Sequence, residues 1–253
     1  MLFLQYLKSK NYIGNGGAFG LSSGLGKCTN LSNLTLDLGQ NKIDEVGAQR
    51  LYFCLVNSTN LSNLALDLGW NKIGVLGLSS GLVMCNNISN LKLYLNFSKI
   101  SNECASSLGS DLVNCNNLSN LTLDLRGNKI GDEGASGLGS GLGNLTNLSS
   151  LILHLQGNQI GEIGASKLGS DLGKCTNLQN LILDLSCNKT GVIGTSGQSS
   201  GLANCTNLSN LTLYLSLGYM NQSEQLKIQS KCLKLKKLVF FQTNLSKQQT
   251  EKW

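Results

Sequence analysis

Cys28-Thr-Asn-Leu-Ser-Asn-Leu-Thr-Leu-Asp-Leu38 is the stretch that decides the fold, because it returns along the chain about every 30 residues. Each copy continues through a segment like Asn41-Lys-Ile43 to a Gly-Ala pair like Gly47-Ala48. The leading apolar residue of the copies stands at Leu31, Leu61, Ile88, Leu118, Leu148, Leu178, Leu208 and Leu235. This period predicts stacked units, each of which buries its apolar face against its neighbours.

The two halves of each unit have different hydrophobic periods. In the first half Leu34, Leu36 and Leu38 alternate with polar residues, which predicts a strand with one buried face. In the second half apolar residues recur at helical spacing, as from Ala165 to Cys175. This half is rich in Gly and Ser, so either it depends on packing against its neighbours or its small residues let helices approach closely. We expect an α/β solenoid with parallel strands on the concave side and helices on the convex side.

The order Leu-x-x-Leu-x-Leu, then Asn and Ile, then Gly-Ala and a spaced Leu pair resembles the leucine-rich-repeat family, and within it the ribonuclease-inhibitor-like subfamily. The resemblance covers roughly residues 11–245. It implies a horseshoe in which an asparagine side chain bonds neighbouring backbone at the turn after each strand. Those asparagines are Asn11, Asn41, Asn71, Asn128, Asn158 and Asn188, and two units have Ser98 and Gly218 instead.

The repeats predict one domain over residues 1–253, with about seven to eight units. Residues 1–27 are a partial first unit, 28–218 the regular repeats, and 219–253 a basic last unit and tail. Either the first ten residues improvise a cap or something covers that end. Leu238-Val-Phe-Phe241 is expected to be the last strand.

Positive charge is concentrated at one end of the chain. Residues 1–218 contain 13 Lys and Arg against 12 Asp and Glu, whereas residues 219–253 contain seven Lys and two Glu. The basic patch consists of Lys227, Lys231, Lys234, Lys236 and Lys237. Such an end is either a solvated terminus or a contact for an acidic surface such as a microtubule, a nucleic acid or an anionic lipid.

Composition also bears on location. No apolar run approaches the 18 or so residues of a membrane span, and the apolar stretch from Met1 to Leu7 is too short for a signal sequence. An odd count of nine cysteines without such a signal favours a reducing compartment. We therefore expect a cytoplasmic protein, with a large cytoskeletal or other assembly as a candidate setting.

No group of residues in the sequence is typical of catalysis, and we expect no enzyme activity, cofactor, metal or small-molecule substrate. Six cysteines share a repeat position that Leu145 also occupies, which indicates buried thiols, and there is no Cys-x-x-Cys pair. The Gly-rich stretch 137–143 lacks the Gly-Lys-Ser/Thr ending of a phosphate loop. His154, the only histidine, has no convincing nucleophile partner. The many Asn-x-Ser/Thr triplets, for example at Asn30, Asn33, Asn120 and Asn210, are interpreted as turn and capping residues.

One set of strand residues, which we call the concave column, is not required by a core. Its members are Asp37, Asp67, Tyr94, Asp124, His154, Asp184 and Tyr214. Strands lie about 4.8 Å apart, so like charges in such a column repel. Either the column is a docking strip for a basic or hydrogen-bonding segment, with its aromatic members as anchors, or its aspartates are copied with the repeat and neutralised by a lysine row. That row consists of Lys42, Lys72, Lys99, Lys129 and Lys189.

The sequence therefore predicts a non-enzymatic protein–protein interaction module, used as a scaffold or adaptor subunit of an intracellular assembly and binding through its concave strand face. The resemblance implies a second hypothesis. Ribonuclease-inhibitor-like repeats also occur in regulatory proteins, such as activators of small GTPases and inhibitors of nucleases.

Overall fold

The computed structural model describes residues 2–7, 10–55, 58, 60–74, 86–215, 223 and 239–242, and of residues 2–7, 53–54 and 239–242 the backbone alone. Within these residues nine parallel strands form one sheet in chain order, and six helices lie between them in sequence. The strands are β1 (Leu2–Leu7), β2 (Leu31–Asp37), β3 (Asn63–Asp67), β4 (Asn90–Tyr94), β5 (Asn120–Asp124), β6 (Ser150–His154), β7 (Asn180–Asp184), β8 (Asn210–Tyr214) and β9 (Val239–Gln242). The helices are α1 (Gly14–Leu25), α2 (Glu45–Leu55), α3 (Asn102–Leu112), α4 (Asp132–Leu142), α5 (Glu162–Leu172) and α6 (Gly191–Leu202). The predicted α/β leucine-rich-repeat solenoid is confirmed.

Equivalent residues of successive units stand side by side in the sheet. Leu34 pairs with Leu64, Leu64 with Leu91 and Leu91 with Leu121, and the same register continues to β8. Because side chains alternate across a strand, this register places the leucines that pair between β2 and β8 on one face, where each is at most 3% exposed. The polar residues between the leucines therefore share the opposite face.

Glycines bring neighbouring helices into backbone contact. A Cβ added to Gly141 of α4 would stand 2.0 Å from the carbonyl oxygen of Gly109 in α3. A Cβ on Gly169 of α5 would stand 2.3 Å from the Cα of Gln198 in α6. No real side chain fits such distances, so the small residues of the helical half are needed for close approach.

The asparagine ladder lies at the turn after each strand. The Oδ1 atom of Asn158 accepts a hydrogen bond from the backbone N–H of Ile130 in the preceding unit, at 3.0 Å. Its Nδ2 atom donates to the carbonyl oxygens of Leu125 and Leu155, both at 2.9 Å. Asn71, Asn128 and Asn188 repeat this pattern. At Ser98 a hydroxyl group takes the place of the amide and donates to the carbonyl oxygen of Leu68. Gly218 lies outside the described residues.

A second ladder of amide side chains crosses the sheet from strand to strand. The interpretation of its members as turn and capping residues is wrong. The Nδ2 atom of Asn63 donates to Oδ1 of Asn33 at 2.6 Å, and Asn210 donates to Asn180 in the same way. Asn33 and Asn120 lie inside strands, where the register brings equivalent amides within hydrogen-bond distance. Strand spacing thus overrides the preference of asparagine for turns.

The two ends of the sheet and the cysteine position follow the sequence pattern. The first residues extend the sheet, because β1 pairs with β2, and β9 is the last strand. Cys115, Cys175 and Cys205 are buried, while Cys28 is partly exposed. Burial raises the pKa of the Cys175 thiol to about 12. The other two cysteines of this position, Cys85 and Cys232, lie outside the described residues, as does the shortened segment at residues 77–82.

Candidate protein-binding surface

The seven residues of the concave column form one line across the sheet. Asp37 pairs with Asp67, Asp67 with Tyr94 and Tyr94 with Asp124. The line continues through His154 and Asp184 to Tyr214. All of them are half-buried except Asp124, which is buried. The structure thus brings together every residue that the sequence assigned to this column.

The aspartates of the column also hold the turns that follow their strands. The carboxylate of Asp37 accepts the backbone N–H of Gly39 at 3.1 Å, and that of Asp67 accepts the N–H of Gly69 at 2.8 Å. Asp184 accepts both the N–H and the hydroxyl of Ser186, at 2.9 and 2.5 Å. These short-range bonds explain why aspartate recurs at this position whether or not a partner binds.

Asp124 differs from the sequence-based expectation of an accessible side chain, since it is only 2% exposed. The guanidinium group of Arg126 pairs with it through Nη2 at 2.6 Å and Nε at 2.9 Å. The position two residues after the aspartate is glycine at Gly39 and Gly69, so those units lack an equivalent cation. Charge in the column is therefore compensated at Asp124 and not uniformly along the sheet.

The lysine row does not neutralise the column. Among the described side chains, Arg126 is the only cation paired with a member of the column. The residues of the row are exposed, and the Nζ atom of Lys42 lies 4.2 Å above the ring of Tyr12. The alternative interpretation, in which this row cancels the aspartates, is wrong for the residues that the structure describes.

Electrostatic strain within the column is concentrated around Asp67. Burial raises the pKa of this carboxyl group above its ordinary value, and the charges of Asp37 and Asp124 raise it further. The pKa of Tyr94 is raised by burial and by the neighbouring Asp67 and Asp124. Both shifts have the sign expected for acidic groups that are partly buried beside other negative charges.

His154 lies between two aspartates in the sheet. It pairs with Asp124 on one side and with Asp184 on the other. Its Nδ1 atom is buried and has no hydrogen-bond partner in the described part of the chain. The side chain of His154 is half-buried, like those of most members of the column.

An aromatic pair beside the column was missed by sequence reasoning. Trp70 and Phe97 stack with ring centroids 4.2 Å apart and an interplanar angle of 25°. They occupy the same turn position in neighbouring units, one residue before Asn71 and Ser98. The available signal was the appearance of large aromatic residues at a position where two later units have Gly127 and Gly157.

Two other features bear on what this surface can do. In the described part of the chain no group of His, Cys, Asp or Glu side chains is placed to hold a metal ion, and no helix is long and apolar enough to cross a membrane. The predicted basic patch, Lys227 to Lys237, lies outside the described residues and stays a prediction.

Comparison with known proteins agrees with the repeat. Residues 64–80, 114–139 and 147–169 match the family model described as "Leucine Rich repeat". One similar solved structure is "Leiomodin-1 Actin-Binding Site 2 (ABS2)", with 17% sequence identity, coverage of 56% of this chain and 78% of that chain, and a TM-score of 0.42. No curated protein sequence matches the chain. The stacked strand–helix units and their asparagine ladder form a leucine-rich-repeat solenoid, and three segments of the chain match the model of that family.

Proposed function

We propose that this chain is a non-enzymatic protein–protein interaction module that binds a basic or hydrogen-bonding segment of another protein through the concave column. The observation that carries the proposal is that the neighbouring Asp37 and Asp67 have no ion-pair partner among the described side chains. A cationic side chain placed there would relieve the repulsion with Asp37 and gain charge-assisted hydrogen bonds.

The shape of the surface supports the same partner class. The strands present three parallel lines of side chains, which begin at Asn33, Thr35 and Asp37 in β2. Over β2 to β4 the surface holds a shallow depression of about 440 Å³, lined among others by Asn63, Ala65 and Asn90. An extended segment crossing the strands would meet amides on one side and carboxylates on the other.

The role that we propose is that of a scaffold or adaptor subunit in an intracellular assembly, cytoskeletal or other. A solenoid surface suits this role because it is long and open. The chain has an odd number of cysteines, and Cys28, Cys104 and Cys175 form no disulfide, which supports a reducing, cytoplasmic setting.

The test is a triple variant in which asparagine replaces Asp37, Asp67 and Asp184. The amide oxygen of asparagine can still accept the turn hydrogen bonds of these positions, so the change removes charge and preserves the fold. Asp124 is left intact, since its buried pair with Arg126 would be broken.

A matched control replaces three exposed helix carboxylates, Glu103, Glu133 and Glu162, with glutamine, so that both variants lose the same charge. Folding is checked by circular dichroism, and partners are captured from native lysate and quantified by mass spectrometry. Some proteins will be captured by both the wild type and the control. We expect the captured amount of these proteins to be at least about tenfold lower with the asparagine variant. Equal capture by both variants would exclude the column as the binding surface.

A further inference from the structure

The exposed aromatic pair is the least explained feature of the described surface. Trp70 is 55% exposed and Phe97 is 45% exposed, although each buries part of one face against the other. Large aromatic side chains are enriched at the centres of protein interfaces, where they add contact area at low cost in conformational entropy. A pair of them in solvent contributes little to the fold.

The backbone at these two residues is also in an unfavourable region. Trp70 has φ of 58° and Phe97 has φ of 54°, in the left-handed region, which is unfavourable for a bulky residue. Gly127 and Gly157 adopt the same conformation at the same turn position without that cost. The turn therefore needs a positive φ but does not need an aromatic side chain.

The ring of Phe97 also covers the turn of the next unit. A Cβ added to Gly127 would stand 2.2 Å from the Cε1 atom of Phe97, so the ring of Phe97 lies over the next turn. The absence of a side chain at Gly127 leaves room for this ring. The aromatic surface thus extends over three neighbouring turns, those that carry Trp70, Phe97 and Gly127.

Negative charge lies next to this aromatic surface. The carboxylate of Asp67 is bonded to the N–H of Gly69, the residue directly before Trp70. Oδ1 atoms of Asp37 and Asp67 stand 3.5 and 3.4 Å from the point that a Cβ on Gly39 would occupy, so the two carboxylates converge above a residue without a side chain. Among the described side chains no cation pairs with either. An aromatic pair, one member of which follows the residue bonded by the half-buried Asp67 carboxylate, is complementary to a planar cation.

We propose that Trp70, Phe97 and Asp67 together bind an arginine side chain in a basic segment of the partner. This inference rests on the proposed function and specifies the partner's chemistry. A guanidinium group can stack on an aromatic face and donate two parallel hydrogen bonds to a carboxylate, whereas an ammonium group cannot do both. Lys72 and Lys99, exposed two residues beyond the pair, disfavour a partner segment with many consecutive positive charges.

The test uses Trp70 as the reporter. The chain has two tryptophans, so in a Trp253→Phe background the indole emission comes from Trp70 alone. The probes are three synthetic peptides of alternating Gly and Ser that contain two arginines, two lysines or two glutamates. The net charge of +6 on the protein disfavours non-specific attraction of the cationic peptides.

We expect the arginine peptide to change Trp70 emission saturably, the lysine peptide to bind more weakly, and the glutamate peptide to have no effect. Asp67→Asn removes a charge-assisted contact and should weaken the arginine peptide about tenfold. Phe97→Leu removes stacking and should weaken it about threefold. The matched controls are Glu133→Gln for charge and Phe19→Leu for an exposed aromatic, and neither should change the affinity.

Unchanged Trp70 emission, or equal affinity for the arginine and glutamate peptides, would overturn the arginine site. The lysate capture separates this failure from failure of the proposed function. A Trp70→Ser/Phe97→Ser variant that keeps the partners lost by the triple asparagine variant would refute the arginine site and leave the column as the binding surface. Partners kept by both variants would refute both proposals.

Discussion

Replacing Gly141 with alanine adds one methyl group to the contact between α3 and α4. Its Cβ would lie 2.0 Å from the carbonyl oxygen of Gly109, 2.2 Å from the carbonyl carbon and 2.6 Å from the Cα. All three are backbone atoms, so no side-chain rotation relieves the overlap. The two helices must separate by an ångström or more, as judged from ordinary contact distances of about 3.5–4 Å.

The size of the effect follows from two opposing terms. Alanine in a helix interior is favoured over glycine by about 1 kcal/mol. Overpacking a close contact typically costs about 1–3 kcal/mol, and here the clash is with backbone on both sides of a repeat boundary. Stability of a solenoid depends on contacts between adjacent units, so a wider α3–α4 spacing also weakens the stacking of the strands attached to them. We expect Gly141→Ala to lower the free energy of unfolding by about 1–2 kcal/mol.

The assay is urea unfolding followed by circular dichroism, with Gly20→Ala as the matched control. Gly20 lies in α1, and a Cβ added there meets no atom within 4 Å. The control should keep or raise the unfolding midpoint, because it gains helix propensity without overlap. A Gly141→Ala variant as stable as the control would refute the claim that glycines set the helix spacing.

Two further pairs of variants test the ladder and the buried carboxylates. Asn158→Ala leaves the buried backbone N–H of Ile130 without its partner, whereas the carbonyl oxygens of Leu125 and Leu155 keep hydrogen bonds from Asn128 and Asn188, so the variant should cost about 2 kcal/mol in urea unfolding. Asn147→Ala, which loses one exposed bond, should cost less than about 1 kcal/mol. Burial raises the pKa of Asp111 from 3.8 to about 6, so the folded state disfavours its ionised form and stability falls as the pH rises through this range. Asp111→Asn should remove that fall. Asp171→Asn, which breaks the ion pairs of a buried carboxylate with two lysines, should lower stability at neutral pH. A variant pair in which Asp111→Asn lowers stability at neutral pH and Asp171→Asn does not would contradict these two roles.

Most of the fold was predictable because the repeat places chemically identical residues at identical positions. The alternation of Leu34, Leu36 and Leu38 predicted strands, and the fixed spacing predicted that each strand stacks in register on the next. Once register is known, the concave column follows without further information, since its members stand at one position of the unit. The ladder at Asn158 was implied by the resemblance to leucine-rich repeats.

Features that depend on one unit alone were not predictable. The pairing of Asp124 with Arg126 depends on a position that varies from Gly39 to Ser186 between units, and on a side-chain conformation that no periodicity encodes. The stacking of Trp70 on Phe97 depends on two turns with positive φ, where sequence patterns indicate only a turn.

The second amide ladder was missed for a different reason. Asparagine ordinarily favours turns, so Asn33 was interpreted by its intrinsic preference. In the sheet, stacking of equivalent amides between strands satisfies its donors and acceptors, and tertiary context overrides the preference.

The most direct test of the central claim, that the strand face binds the partner, is site-specific photo-crosslinking in native lysate. A benzophenone side chain would replace Thr35, on the strand face of β2, or Glu133, exposed on α4. The account predicts that the partner lost by the triple asparagine variant crosslinks through position 35 and not through position 133. Crosslinking of that partner through position 133 alone would contradict it.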